Sequence, residues 1–242
     1  MIGPVNPEKT SWQGRPHAHS GFEQVVIALT YLRTNQTQAV IAEAHHTSQA
    51  TVSRIIGRVT ALLATVLGSR APTADDLDPA EQLIIDGTLA PTWSWKAHPE
   101  DYSGKHHTTG RNLQVACDLN GRLRWISDDL PGSIHDSKAL RLHGLADPGD
   151  PHPWNDATLI GDKGYIGMGM LTPIRRQPGQ EHLEQWQQDY NHDIGAIRFL
   201  IERANAHLKN WTILHTDYRR PWKTTTQTIT AVIGLHCYRM SL

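Results

Sequence analysis

The apolar and polar positions divide the chain into a helical first part and a second part that mixes strands with helices. Between residues 22 and 67, apolar residues recur at intervals of three and four, which is typical of amphipathic helices. From residue 83 onward, short apolar runs and alternating positions replace that interval and indicate strands. The sequence therefore predicts a small all-α unit followed by an α/β unit.

Three helices are predicted in the first part, separated by polar breaks at residues 33–35 and 45–47. Thr37 and Ser48 can cap the second and third helices, because a hydroxyl accepts a hydrogen bond from a first-turn amide. Short helices, a tight turn and a helix that opens with small polar residues form a helix-turn-helix pattern. A helical hairpin in an ordinary core is the alternative interpretation. The residues predicted to contact DNA are Ser48, Gln49, Thr51, Ser53, Arg54 and Arg58.

Two apolar runs in the second part each lead to an aspartate. Residues 83–85 precede Asp86, and residues 158–160 precede Asp162. A buried strand reads as an unbroken apolar run, and active sites collect at the carboxyl ends of such strands. A later amphipathic helix carries Glu202 on its polar face. We expect the three acids to converge.

A hairpin and a short helix are predicted between the two aspartates. Residues 113–125 alternate in the manner of two strands, with Asn120-Gly121 as a two-residue turn. Residues 133–143 predict a helix that has Asp136 in its first turn. A strand, a hairpin, a helix, a strand and a helix is the order in which a mixed α/β sheet with one antiparallel edge is wound. It is also the order of the ribonuclease H-like fold.

Asp86, Asp162 and Glu202 together predict a divalent-metal site. Mg²⁺ prefers carboxylate, water and phosphate oxygens, and Mn²⁺ can replace it. Two such ions about 4 Å apart can activate a water and stabilise the leaving oxygen of a phosphodiester. Two of the acids also have plainer interpretations, since Glu202 can pair with Arg198 on its own helix and Asp162 can close a turn beside Lys163.

Charge is unevenly distributed along the chain, although the formal net charge is only −1. Residues 1–70 carry +3, residues 71–197 carry −9 and residues 198–242 carry +5. Basic ends around an acidic centre fit two polyanion-binding surfaces around a cation site, although solvated faces produce the same imbalance. The two cysteines, Cys117 and Cys237, lack the spacing of a disulfide framework or a metal site, which fits a reducing, cytoplasmic setting.

Four short motifs of the second part occur together in one known family. They are Ile85-Asp86-Gly87-Thr88, Pro131-Gly132-Ser133-Ile134-His135-Asp136-Ser137, Gly161-Asp162-Lys163-Gly164-Tyr165 and the segment Ile201-Glu202-Arg203-Ala204-Asn205-Ala206-His207-Leu208-Lys209. Through them, residues 82–214 resemble the DDE superfamily endonucleases of the insertion-sequence and Harbinger-like transposases. Residues 30–65 resemble the helix-turn-helix found ahead of that nuclease.

The resemblance implies that Asp86, Asp162 and Glu202 are the catalytic and metal-binding acids, with two Mg²⁺ ions as the cofactor. Asp136 belongs to a family motif as well, but the order of elements favours Asp162 as the second acid, because it follows the fourth strand. Lys105, His106 and His107 resemble the polar segment before the family's second strand, which implies a DNA contact; ordinary surface histidines are the alternative. Auxiliary roles at the site are expected for Asp136, His135, Lys163, Arg203 and Lys209.

The resemblance also implies a function. The expected enzyme is a DNA transposase that binds the ends of an insertion sequence and catalyses metal-dependent strand cleavage and strand transfer. Its expected partners are double-stranded DNA, as terminal repeats and as target, and further copies of itself in a homodimer or higher oligomer. A domesticated nuclease or DNA-binding protein that does not transpose is an alternative, and a helix-turn-helix transcriptional regulator is a more distant one.

The expected domain organisation has four parts. They are a disordered or extended N-terminus at residues 1–20, a helix-turn-helix domain at 21–68, a linker at 69–80 and a ribonuclease H-like nuclease domain at 81–242. The expected location is the bacterial cytoplasm, at the nucleoid and without a membrane association, since no signal peptide and no unbroken apolar run of about 20 residues is present. The basic tail is expected to help hold the element ends through Arg219, Arg220, Lys223 and Arg239.

Overall fold

Three helices precede a mixed sheet and three further helices in the computed structural model, which describes residues 19–93, 96–146 and 159–240. The helices are α1 (Gly21–Thr34), α2 (Gln38–Ala44), α3 (Gln49–Leu67), α4 (Asp136–Leu142), α5 (Gln185–Lys209) and α6 (Thr225–Met240). The strands are β1 (Leu83–Pro91), β2 (Tyr102–Ser103), β3 (Thr108–Cys117), β4 (Leu123–Ile126), β5 (Leu130–Pro131) and β6 (Leu159–Ile160). The predicted fold class, a small all-α part before an α/β part, is confirmed. Residues 1–18 of the predicted N-terminal segment lie outside the described residues.

The three N-terminal helices begin where the sequence predicts. Thr37 caps α2 by accepting a hydrogen bond from the backbone N–H of Val40, and Ser48 caps α3 by accepting one from Thr51. After α1, Asn35 adopts a left-handed conformation with φ of 45°, which ends the helix and turns the chain. The residues on either side of these breaks can therefore pack as a compact helical unit.

The sheet is mixed, as predicted, and β1 lies inside it. Strand β1 pairs antiparallel with β3 on one side and parallel with β6 on the other. The strand order is β2-β3-β1-β6, and β4 and β5 also pair with β3. Asp86 and Asp162 therefore belong to neighbouring strands, because Asp162 follows β6 by two residues.

Strand β1 does not end at Asp86, so the predicted strand end was wrong. The strand continues to Pro91, and its pairing with β3 runs from Ile84 opposite Cys117 to Pro91 opposite Gly110. Burial resumes after Asp86 at residues 88–90, so the second half of the strand is held by packing as well as by hydrogen bonds. Asp86 consequently lies within a paired strand.

The hairpin turn and two helix bounds also differ from the prediction. Residues 118–122 form the turn, because Asp118 bonds to the backbone of Arg122 and its carboxylate accepts from the backbone N–H groups of Asn120 and Arg122. Helix α4 begins three residues later than predicted, since His135 caps it. The predicted helix that carries Glu202 is α5, which begins already at Gln185.

Helix α6 was missed, and it joins the two parts of the protein. It packs along α3, and at Gly234 a Cβ atom would lie 2.5 Å from the backbone oxygen of Leu67. One hydrophobic cluster contains residues of α1, α2, α3, α5, α6 and one face of the sheet. A second cluster covers the other face, since Leu83 and Ile85 point away from Ile84. The helical unit and the sheet unit therefore share a core, and the predicted domain bounds stay a prediction.

One described segment, Gln49–Asp76, is long and apolar enough to cross a membrane by length and composition alone. It consists of α3 and the short turns that follow, and α3 buries Val52, Ile55 and Val59 within the protein. A single helix of this kind is weak evidence for a membrane span.

A buried ionic network fastens the start of α6 to the sheet. Arg111 on β3 bonds to Asp101 at 2.7 Å and to Asp129 at 2.5 Å, and both carboxylates are almost completely buried. Asp101 also accepts a hydrogen bond from the indole of Trp222, and Asp129 accepts one from Thr226. Arg111 is the positive partner of both carboxylates, so the network depends on this one arginine.

Substitution Arg111→Met should reduce the free energy of unfolding by about 3–5 kcal/mol, because it leaves two buried carboxylates without a positive partner. Urea denaturation measures the change. The matched control is Arg124→Met, which removes an exposed pair with Glu81 and should cost less than about 1 kcal/mol. Equal losses of unfolding free energy for the two substitutions would show that the buried network stabilises the protein no more than the exposed pair does.

Candidate active site

Asp86 is largely enclosed by the protein. Its side chain is only 19% exposed and lies on the face of β1 that α5 covers. Asn205 donates a hydrogen bond to one carboxylate oxygen at 3.0 Å, and the Arg198 guanidinium lies 3.7 Å from the other. Both partners come from α5, so this helix fixes the orientation of the carboxylate. The sequence analysis paired Arg198 with Glu202 as an alternative, whereas the structure directs it to Asp86.

Asp162 lies beside Asp86 because their strands are neighbours. Its Oδ1 accepts a hydrogen bond from the backbone N–H of Gly164 at 2.6 Å, and it caps the short 3₁₀ turn Lys163–Tyr165. Burial raises the pKa of Asp86 to about 6, opposed by Arg198 and reinforced by the charges of Asp162 and Asp136. The structure therefore brings these three aspartates within electrostatic reach of one another.

Asp136 is held by a polar network that the sequence analysis missed. It is buried, and it accepts hydrogen bonds from Lys105 at 2.7 Å, from Asn112 at 3.0 Å and from Gln114 at 3.4 Å. The phenol of Tyr165 donates to Gln114 at 2.6 Å. Burial acts to raise the pKa of Asp136, but these bonds, with Lys105 first among them, outweigh it and lower the pKa. Polar residues at the buried alternate positions 112 and 114 of β3 were the available signal.

Glu202 lies on the side of α5 that faces Asp86, although its own side chain is exposed. It stands four residues after Arg198 and three before Asn205, and such positions share one helix face. Within residues 19–93, 96–146 and 159–240, no group of three or more His, Cys, Asp or Glu side chains is arranged to hold a metal ion. Asp86 and Asp162 lie side by side in the structure, and Glu202 is on the α5 face that carries the Asp86 partners Arg198 and Asn205.

Of the remaining auxiliary candidates, three lie near this centre and Arg203 points away from it. His135 caps α4 next to Asp136, and the backbone oxygen of Lys163 accepts from Arg175 at 2.6 Å. Lys209 lies near enough to influence the pKa of His106. Arg203 points elsewhere, since it donates to the backbone oxygen of Asn120 in the β3–β4 turn at 3.2 Å.

A cavity of about 230 Å³ opens beside Asp136. Lys105, Thr88 and His135 line it together with backbone of residues 132–134. The hydroxyl of Thr88 is buried and has no hydrogen-bond partner among the described residues. A ligand that enters this cavity would therefore meet the Lys105 ammonium group next to Asp136, with the unpartnered Thr88 hydroxyl buried in the wall.

The donor chemistry of the site fits a hard divalent cation. Asp86 and Asp162 offer carboxylate oxygens on adjacent strands, and the raised pKa of Asp86 shows that its negative charge is incompletely balanced by the protein. The amide of Asn205 is already bonded to Asp86, while its Oδ1 is buried without a partner among the described residues. A cation beside Asp86 would balance the charge that burial disfavours.

The predicted DNA-contacting residues surround the N-terminal end of α3. Ser48, Gln49 and Arg54 are exposed, and Arg54 lies 3.4 Å from the hydroxyl of Thr51. Arg58 is engaged by the side chain of Gln24 on α1. The first turn of α3 therefore presents polar side chains to solvent, whereas Arg58 helps to hold the helices together.

Comparisons with known proteins agree over both parts of the chain. A family described as DDE superfamily endonuclease matches residues 85–237, and one described as the helix-turn-helix of DDE superfamily endonuclease matches residues 20–69. A protein described as a transposase for insertion sequence element IS112, from Streptomyces albus G, is 30% identical over 203 residues, which cover 84% of this chain and 74% of that protein.

Two further relatives are more distant. A protein described as a transposase for insertion sequence element IS702, from Microchaete diplosiphon, is 24% identical over 240 residues, or 91% of this chain and 81% of that protein. The human protein described as the nuclease HARBI1 is 22% identical over 209 residues, or 78% of this chain and 58% of its own length.

Substitution Asp86→Asn should stabilise the protein at about pH 7. The pKa of Asp86 is about 6 when folded, above the roughly 3.9 of an unfolded aspartate, so its ionisation makes the protein less stable as the pH rises from about 4 to 6. Removing the charge should raise the free energy of unfolding by about 1–3 kcal/mol at about pH 7 and change it little at about pH 4. Urea denaturation at the two pH values tests this.

A Mg²⁺ titration supplies the control for that experiment. Millimolar Mg²⁺ should raise the melting temperature of the wild-type protein and have a smaller effect on Asp86→Asn, because the variant lacks a charged ligand. An Asp86→Asn protein that is less stable than wild type at about pH 7 would contradict the view that this charge is poorly balanced.

Proposed function

The chain belongs to the DDE superfamily of endonucleases, and from that membership we propose that it is the transposase of an insertion sequence. It would bind the ends of its element, cut DNA strands there and join the freed 3′-hydroxyl to a target. The observation that carries the proposal is the buried Asp86 carboxyl with Asp162 beside it, in a chain that begins with a helix-turn-helix. The mixed sheet around β1 is consistent with a ribonuclease H-like nuclease domain.

Asp86, Asp162 and Glu202 are the residues we propose as catalytic acids and metal ligands. Two Mg²⁺ ions, or Mn²⁺ in their place, would activate the attacking oxygen and stabilise the leaving oxygen of the phosphodiester when bound. Asp86 is held for this role by Asn205 and Arg198, which fix both of its oxygens. Glu202 is proposed because it lies between these two residues on the same face of α5.

Asp136 is proposed as a positioning residue. It holds the ammonium group of Lys105 at the cavity that both residues line. Lys105 itself, followed by Asn112 and Gln114, lowers the pKa of Asp136 and keeps the ion pair with Lys105 in place. An ammonium at this position can bind a phosphate oxygen of the DNA strand next to the cut.

DNA recognition is proposed for the first turn of α3, through Ser48, Gln49, Thr51, Ser53 and Arg54. Two arginines of the tail have another contact: Arg219 bonds to the backbone oxygen of Asn35, and Arg220 bonds to that of Ser53 at 3.3 Å. They tie the helix-turn-helix to the rest of the protein, so any DNA contact by them is secondary to that role.

The proposed setting is the bacterial cytoplasm, at the nucleoid, with double-stranded DNA as the partner and a homodimer or higher oligomer as the active form. The similarity to a protein described as a nuclease favours a second candidate, a DDE nuclease that cuts DNA without transposing. A strand-cleavage assay on DNA that carries the element's own ends, followed by a strand-transfer assay with target DNA, distinguishes the two. Cleavage without transfer favours the nuclease.

Substitution Glu202→Gln should reduce Mg²⁺-dependent strand cleavage by at least about 100-fold while DNA binding stays intact, because it removes a charged ligand without changing the size of the side chain. Gel analysis of cleaved element ends measures the rate. The control is Asp193→Asn, which removes a carboxylate from another face of the same helix and should leave the rate unchanged. Full activity of Glu202→Gln would rule Glu202 out, and Asp136→Asn then becomes the test of a different third acid.

Substitution Arg54→Ala should weaken binding to the element ends by about tenfold, on the order of 1.4 kcal/mol, because an exposed arginine at the start of α3 is in reach of base edges and phosphates. Fluorescence anisotropy with labelled duplex measures the dissociation constant. Arg70→Ala, beyond the end of α3, is the control for the loss of one charge. Unchanged binding by Arg54→Ala would contradict the proposed reading surface.

A further inference from the structure

A second cavity, of about 380 Å³, lies on another side of α5 from the aspartates. The turn between β3 and β4, the second half of α5 and the end of α6 enclose it. On an α-helix each residue turns by about 100°, so Arg203 and His207 point roughly 140–180° away from Arg198. Cys117, just before the turn, pairs with Ile84, so the cavity lies towards the amino end of β1. It is therefore separate from the proposed catalytic centre.

The side chains around this cavity are strongly basic. Its lining contains three arginines, two histidines and no carboxylate; the charged or titratable members are Arg122, Arg203, His207, His236 and Arg239. All three arginines are exposed at its rim. Arg203 is already held by the backbone oxygen of Asn120, so part of its guanidinium is fixed in place before any ligand arrives. Such a concentration of like charge stabilises a bound anion.

His236 lines the cavity and has a buried hydrogen-bonding atom that is unused. The residue is only 2% exposed, and its Nδ1 has no partner among the described residues. A buried polar atom without a partner costs about 1–3 kcal/mol, so such atoms are expected where a ligand completes the site. Burial lowers the pKa of His236 to about 4, and Arg239, His207 and Arg33 act in the same direction. The imidazole is therefore neutral at neutral pH, and one of its nitrogens carries a hydrogen that it can donate.

We propose that this cavity is an anion site that holds a backbone phosphate of bound DNA, away from the phosphate that is cut. Arginine forks match phosphate oxygens in pairs, and three of them converge here from separate elements. The arginines are exposed at the rim of the cavity, so they can bind one phosphate of a DNA strand while the rest of the strand stays outside the cavity. The assignment rests on the proposed function, since it takes DNA as the substrate.

The test compares two double variants of the full chain that lose the same charge. Arg122→Gln with Arg239→Gln removes two arginines from the cavity, and Arg70→Gln with Arg176→Gln removes two exposed arginines elsewhere. Fluorescence anisotropy gives the affinity for a duplex DNA at several salt concentrations, without divalent metal. Circular dichroism confirms that both variants are folded.

The expected result concerns the salt dependence of binding. Each protein–phosphate contact contributes about 0.9 to the slope of log affinity against log salt concentration, so the cavity variant should have a slope smaller by about 0.9 or more. Between about 50 and 200 mM salt its affinity should fall by about 3.5-fold less than that of the wild-type protein. The control variant should keep the wild-type slope. Equal slopes for all three proteins, or no DNA binding by the wild-type protein, would overturn the assignment.

Two further measurements separate this inference from others. Titration with inorganic phosphate, followed by ³¹P NMR, detects a free anion; phosphate binding that is lost in the cavity variant while its DNA slope is unchanged would assign the site to a free anion and overturn the DNA assignment. Cleavage of element ends by the wild-type protein with Mg²⁺ tests the proposed function independently. If the wild-type protein cleaves element ends and the salt slopes are equal, only the assignment of this cavity is wrong. If the cavity variant has a smaller slope and the wild-type protein does not cleave, the cavity assignment is supported and the proposed transposase function is wrong.

Discussion

The burial of one carboxylate within a paired strand determines how the rest of the site is built. Asp86 cannot move out of β1, because residues on both sides of it pair with β3. A Cβ atom at Gly87, the next residue, would lie 2.2 Å from the Asp136 carboxylate, so a side chain there would displace Asp136. Helix α5 supplies Arg198 and Asn205 to Asp86 from above the sheet. The buried charge of Asp86, the absence of a side chain at Gly87 and the position of α5 therefore depend on one another, and changing any of them disturbs the others.

The sequence was sufficient to predict features that depend on short-range chemistry. The caps Thr37 and Ser48, the apolar strand before Asp86 and the position of Asp162 after β6 all follow from neighbouring residues. The end of β1 was predicted wrongly because a charged residue in a strand resembles a strand end unless the pairing partner is known. Helix α6 was missed because its residues are apolar on several sides, and such a helix is recognisable only once the surfaces that bury it are known.

Residues that complete the candidate site were the hardest to identify from the sequence. Asn112, Gln114 and Asn205 are uncharged amides, and the only local signal is that the first two occupy alternate positions of one strand. They are buried because they bind Asp136 or Asp86 across separations of 22 to 119 residues, and such contacts exist only in the folded chain. The proposed third acid illustrates the same limit, since Glu202 lies on the predicted helix but no local pattern tells whether it reaches the aspartates.

The close contact between Gly234 and Leu67 has a consequence for how DNA would be handled. Helix α3 carries the proposed reading surface at one end and rests on α6 at the other, and Arg219 and Arg220 clamp the same unit. The reading surface and the aspartates are therefore parts of one body. For the proposed function, the fold therefore fixes the number of base pairs between the recognised sequence and the cut. If only a flexible linker joined the two units, the number of base pairs between the recognised sequence and the cut would vary.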